Sequence, residues 1–166
     1  WDHRKDRKLS GEALRHAGGL AGILSDEADL ALVGVDRERA LELLLALVRP
    51  DPEGRRHTRR RISRTDAVKA AGGGETGEAI VDHLSGGPSQ ERRGLRLLTV
   101  TSGDAAGGEG EPTVSLIHET LVRSRVADAE GDVKPYWPTL WNHIDANFYR
   151  ARRHERLRLL AQEIAD

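Results

Sequence analysis

The sequence predicts a mainly α fold with a small β-hairpin set into it. Three observations carry that expectation. Apolar residues recur at helical spacing in several separate stretches. Leu95–Val100 and Val114–Ile117 are short apolar runs of strand length. Between them lies SGDAAGGEGEP, rich in Gly and acid with nothing to bury, which reads as a long hairpin loop.

A chain of 166 residues accommodates one ordinary domain, or a small domain with helical flanks. Charged residues make up 32%, above the usual share of about 25%, yet the formal net charge is −1. No global field therefore draws the chain to nucleic acid or a membrane, and charge has to be read segment by segment. Cys is absent, which excludes disulfides and thiolate metal sites and is compatible with a reducing cytosol. No apolar run reaches transmembrane length, and no signal-peptide pattern opens the chain. Met is also absent, even at position 1, so the chain is expected to begin inside a larger reading frame.

Trp1–Lys8 is charged and reads as the end of an upstream element. Ser10 is placed to cap a helix over Gly11–Ala17, broken by Gly18 and Gly19. Helical spacing of Leu20, Ile23, Leu24, Ala28, Ala31 and Leu32 predicts an amphipathic helix over Leu20–Val33. Asp36 caps the next helix, where Ala40, Leu43, Leu44, Leu47 and Val48 form the stripe and Pro50 ends it. Ile62 is the lone apolar residue after a basic loop and reads as a one-bridge strand. Ser63 caps Arg64–Ala71. Gly72–Gly74 make a turn, and a helix over Glu75–Leu84 follows, with Ala79, Ile80 and Leu84 facing inward.

Helix, touch of strand, helix, turn, helix, strand, loop, strand is the order of a winged helix-turn-helix. The predicted organisation is a leading helical segment over 1–35, a winged-helix domain over 36–124, a mobile polar insert over 125–135, and a long C-terminal helix over 136–166. On that last helix Trp137, Leu140, Trp141, Ile144, Phe148 and Ala151 share one face, and the two tryptophans read as core anchors. Arginines between the later apolar positions read as a solvated face, a linker rod or a membrane-surface face. Glu155 and Glu163 weaken the membrane reading.

Several motifs in order resemble the region that follows the ATPase core of bacterial STAND NTPases of the novel STAND kind. RRHTRRRISRTDAV, residues 55–68, looks like that family's entry into its winged-helix domain. LRLLTV and VSLIHETLVRS, on either side of the loop, look like its Leu-Leu-Thr-Val and Val-His-Glu-Ala-Leu signature. YWPTLWNHIDAN with FYRARRHERLRLLAQE looks like its Trp-Pro segment and Arg-rich helix. GLAGILSDEAD resembles the helix that closes the ATPase part. The resemblance implies a signal-transducing regulatory module that docks on an upstream ATPase domain and couples ADP-closed and ATP-open states to a downstream sensor or repeat domain. It also implies a cytoplasmic bacterial protein, with ATP or ADP and Mg in the parent and oligomerisation of the full-length protein on activation. Neither a Walker A loop nor a Walker B strand is present, and the glycines of 72–77 are not followed by Gly-Lys-Ser/Thr. The chain by itself is therefore expected to be no enzyme and to hold no cofactor.

His118 is the sharpest site candidate. The resemblance implies that it reaches a phosphate of ADP held by the ATPase domain. A helix N-terminus at the same point is expected to add partial positive charge. The plainer reading is a residue that caps or packs the strand-to-helix junction. Glu119 either pairs with a nearby arginine or simply favours the first helical turn. Arg55, Arg56, Arg59, Arg60 and Arg61, with His57 among them, form a basic cluster. It reads as an interdomain contact, a solvated loop, or a nucleic-acid surface.

The nucleic-acid reading makes the chain a DNA-binding regulator, which needs a second motif helix that tolerates phosphates. That helix carries Glu75, Glu78 and Asp82 and no Lys or Arg, and the loop adds Asp104, Glu109 and Glu111. Repulsion from a duplex is the expectation, and protein docking is favoured. His143 and Asn147 lie one turn apart without a partnering ligand motif, so metal binding is not expected.

Overall fold

The computed structural model describes residues 19–53, 56–87, 96–103, 110–123, 125–127, 131, 133–150, 152–153 and 156–157. The predicted helix over Gly11–Ala17, Arg55, Leu95, and loop residues Asp104 and Glu109 lie outside them. So do Ala151, Leu160 and Ile164.

Helix α1, Gly19–Leu30, leads into α2, Arg37–Ala46. Asp36 caps α2 by accepting the Arg39 amide at 3.1 Å, the local side-chain bond its sequence position predicts. Ala40, Leu43, Leu44 and Leu45 of α2 are buried. The stripe was expected to continue through Val48, but the helix closes at Leu47 and the chain turns extended. Val48–Arg49 is β1, paired antiparallel with β2, Thr58–Arg59. Pro50 supplies the reason: the residue before a proline is pushed out of helical geometry.

Next come β3, Ile62–Ser63, and α3, Arg64–Ala70. Ser63 Oγ accepts the Asp66 amide at 3.0 Å, as expected of an N-cap. Helix α4, Gly74–Ser85, packs on α3 through Gly77. A Cβ there would stand 2.4 Å from the Val68 carbonyl oxygen, so the close crossing requires glycine. Gly86 ends α4 with a φ of 86°, the left-handed conformation that favours glycine. The buried face of α4 is Gly77, Ile80, Val81 and Leu84. Ala79, expected inward, is exposed, because the helix is turned to bring Gly77 against α3.

Strands β4, Leu98–Thr101, and β5, Thr113–Leu116, complete a three-stranded antiparallel sheet in the order β3-β5-β4. Leu98 faces Leu116, and Val114 is shared by Val100 and Ile62. This pairing places the apolar positions read from the sequence in one register. The far end of the connecting loop is tied down: Glu111 Oε1 accepts the Thr65 amide at 3.1 Å, and Pro112 O accepts the Arg64 amide at 2.7 Å. Glu111, one of the acids of that loop, thus caps α3, and its hydrogen bonds with the Thr65 side chain and amide hold its carboxyl below the usual range.

A short helix α5, Thr120–Arg123, follows β5. The segment 125–135, expected to be a mobile polar insert, contains a paired ribbon of β6, Arg125–Ala127, and β7, Val133–Pro135. Its polar composition concealed the β-branched residues on both arms and the glycine between them, Gly131, at a φ of 87°. Helix α6, Pro138–Ala146, begins with proline in its first turn. The continuous helix expected from Tyr136 onward is interrupted at Asn147. There the Asn147 side chain and main-chain N–H both donate to His143 O, and helical residues resume at Phe148. Trp137 and Trp141 are both buried, as their spacing predicts. Trp137 and Thr139 bond Asp29 at 3.1 Å each, which ties α6 to α1.

The described residues share one apolar core that draws on α1 to α6 and on the three-stranded sheet. The class is mainly α with small antiparallel sheets. None of the described helices is long and apolar enough to cross a membrane.

Candidate functional site

The site is built at the end of β5. Val114, Ser115 and Leu116 are buried, and the Ile117 amide donates to Leu97 O, just ahead of β4, at 2.9 Å. Helix α5 then starts at once, with Leu121 N–H on His118 O at 3.3 Å and the Val122 and Arg123 amides on Glu119 O. Leu121 and Val122 are buried, and Trp141 Nε1 donates to Leu121 O at 3.1 Å. With those two positions held inside, residues 118, 120 and 123 are left at the surface. His118, Thr120 and Arg123 are all exposed.

A shallow concavity of about 460 Å³ is lined by Arg59, Ile117, His118, Glu119, Thr120 and Arg123. It holds two guanidiniums and the imidazole against one carboxylate, so its local balance is cationic although the whole chain is near neutral. Arg59 Nη1 donates to Leu116 O at 3.1 Å and to Ile117 O at 3.4 Å. Its Nε stands 4.0 Å from Glu119 Oε2, the arginine pairing considered for that glutamate. The arrangement can present a hydrogen-bond donor and positive charge to an anionic group brought in from outside. Helix α5 has four residues, too few to carry the dipole expected to assist His118.

The basic cluster of 55–61 does not form one patch. Arg56 and Arg61 are exposed. Arg60 turns inward, and its Nε and Nη2 donate to Ala46 O at 2.9 and 2.6 Å, satisfying the end of α2. His57 is fully buried, 4.4 Å from the Trp141 ring, and its Nδ1 accepts the Asp51 amide at 3.1 Å. Burial lowers its pKa below 6.5, an effect opposed by Asp145 and Asp51 and reinforced by Arg125. His57 is therefore structural, which corrects its reading as part of a surface cluster, and Arg60 also serves the end of α2. Arg123 was not singled out from the sequence. The signal available was its position one helical turn after Glu119 on an exposed face.

On α4 the acidic residues are partly engaged: Arg64 pairs with both Glu78 and Asp82. Glu75 and Glu78 are exposed. His143 Nε2 of α6 lies 3.2 Å from Glu42 Oε1 of α2 without hydrogen-bond geometry. Among the described residues no group of three His, Asp or Glu side chains is placed to hold a metal ion. A second concavity, lined by Glu42, Leu45, Ala46, Val48, Arg60, Ala70 and Arg150, is mostly apolar. Its charges are turned to one another or to main chain.

A family model described as Novel STAND NTPase 1 matches residues 1–166. No curated protein and no solved structure matches the chain.

Proposed function

The chain belongs to the novel STAND NTPase 1 family, and from that premise we propose that it is a winged-helix regulatory module of a STAND-type switch. In this reading the module docks on an upstream ATPase domain, which binds ATP or ADP with Mg and performs the hydrolysis. His118 contacts a phosphate of ADP and holds the closed state. Exchange for ATP releases the module, and the change passes to a downstream sensor or repeat domain. The chain itself carries no hydrolytic step, and its setting is the bacterial cytoplasm.

The observation that supports this best is the exposure of His118 in a cationic concavity, on a junction fixed from behind by the Leu97 and Trp141 bonds. The bonds behind it hold the main chain, so docking has to order only the His118 side chain. The order β3, α3, α4, β4, loop, β5, with β5 between the other two strands, supports the winged-helix reading. The DNA-binding alternative is weakened by the exposed Glu75 and Glu78 on α4, the helix that would enter the groove.

The test is His118→Ala in the full-length ATPase, read as the rate of ADP release. A hydrogen bond to a charged group contributes about 1.5–3 kcal/mol, so release is expected to quicken roughly tenfold to a hundredfold. An unchanged rate would leave His118 a residue of the junction and nothing more.

A further inference from the structure

His118 is presented by main chain that it does not itself hold. Leu116, Ile117 and Glu119 surround it in sequence, and all three are approached by one guanidinium. Arg59 donates from Nη1 to the Leu116 and Ile117 carbonyls, at 3.1 and 3.4 Å, and its Nε stands 4.0 Å from the Glu119 carboxylate. Arg59 comes from β2, 57 residues earlier than Leu116. It belongs to the β1–β2 ribbon and not to the sheet that contains β5. The carbonyls it holds belong to the last residue of β5 and to the one after it, before α5 begins, so without it they lose these donors.

We propose that Arg59 is a positioning residue for His118: it fixes the angle at which the imidazole meets the terminal phosphoryl group of a nucleoside diphosphate held by the ATPase domain. This rests on the clamp reading of His118. The planar fork suits the task, because a guanidinium can address two carbonyls and a carboxylate from fixed directions, which a lysine ammonium does not reproduce. Two further features fit a positioning role. The Arg59 side chain is 46% exposed, so it is not a core anchor whose loss unfolds the domain. Its position on β2 also places a contact between the β1–β2 ribbon and the presenting junction, so movement of the ribbon would turn His118.

The experiment is a double-mutant cycle in the full-length ATPase, with ADP release as the readout. His118→Ala, Arg59→Met and the double variant are compared, and the cycle is repeated with Arg59→Lys, which keeps charge and stem should the Met variant fold poorly. Arg59→Met is expected to quicken ADP release by about fivefold, and Arg59→Lys by less. The double variant is expected to match His118→Ala alone, because Arg59 acts only through the ring. Multiplying effects would show that Arg59 acts independently, by touching phosphate or by general support. An Arg59 effect of nil would likewise overturn the positioning role. Either result leaves the clamp intact, provided His118→Ala quickens release. If His118→Ala alone changes nothing, the clamp and the positioning role fall together.

Discussion

Trp141→Ala is expected to destabilise the chain by about 3–5 kcal/mol, read as a shift in the urea midpoint. The ring is 1% exposed, so its removal opens a cavity as well as losing transfer energy. Three elements lose a partner together. Leu121 O loses its donor at 3.1 Å, His57 loses the ring 4.4 Å away, and Arg125 of the β6–β7 ribbon loses the face it covers at 4.7 Å. Domains of this size are stable by roughly 5–15 kcal/mol, so a loss of this order brings the chain near its unfolding threshold. Trp141→Phe separates the terms: the packing mostly stays, the bond to Leu121 goes, and about 1 kcal/mol is expected. Because that bond anchors α5, hydrogen exchange in residues 118–123 should quicken even in the Phe variant. A loss well under 1 kcal/mol for Trp141→Ala would show that α5 and the ribbon are held by something else.

The second large effect is a fall in stability on mild acidification. His57 is buried and its folded pKa lies below the 6.5 of an exposed imidazole. Between those two values the unfolded chain binds a proton that the folded chain does not. Stability is therefore full above about pH 6.5 and is lost as the pH falls from there toward the folded value. The slope for one proton is at most about 1.4 kcal/mol per pH unit. His57→Asn places an amide oxygen where Nδ1 accepts the Asp51 amide but does not titrate. Its stability should be lower at pH 7.5 and flatter between pH 7 and 5.5. Equal slopes in the two proteins would mean that His57 is charged inside the fold.

Much of this architecture is legible locally. Asp36 and Ser63 were readable as caps because a cap is a bond from a side chain to an amide three residues on. The β4–β5 register follows from alternation, since a slip by one residue would turn Leu98 and Leu116 outward. The outward placement of His118 does not follow from that pattern: alternation alone would put it on the face of Val114 and Leu116, and the turn into α5, with Leu121 and Val122 held inside, brings it to the surface. What could not be read depended on partners distant in sequence. Arg59, Arg60 and His57 are neighbours in a basic run and look alike as letters. One reaches 57 residues forward, one caps a helix 14 residues back, and one is buried beside a tryptophan on α6. The β6–β7 ribbon was hidden for a related reason. Its stacking on Trp141 through Arg125 is a contact that composition does not encode.

On the proposed reading the most direct measurement is hydrogen exchange of the full-length protein, loaded in turn with ADP and with a non-hydrolysable ATP analogue, followed over Arg59 and residues 116–123. With ADP the amides around His118 should be protected, and with the analogue they should exchange as they do in the separate 166-residue chain. Equal protection in the two nucleotide states would contradict the account, since a surface that reads the bound phosphate has to be covered in one state and open in the other.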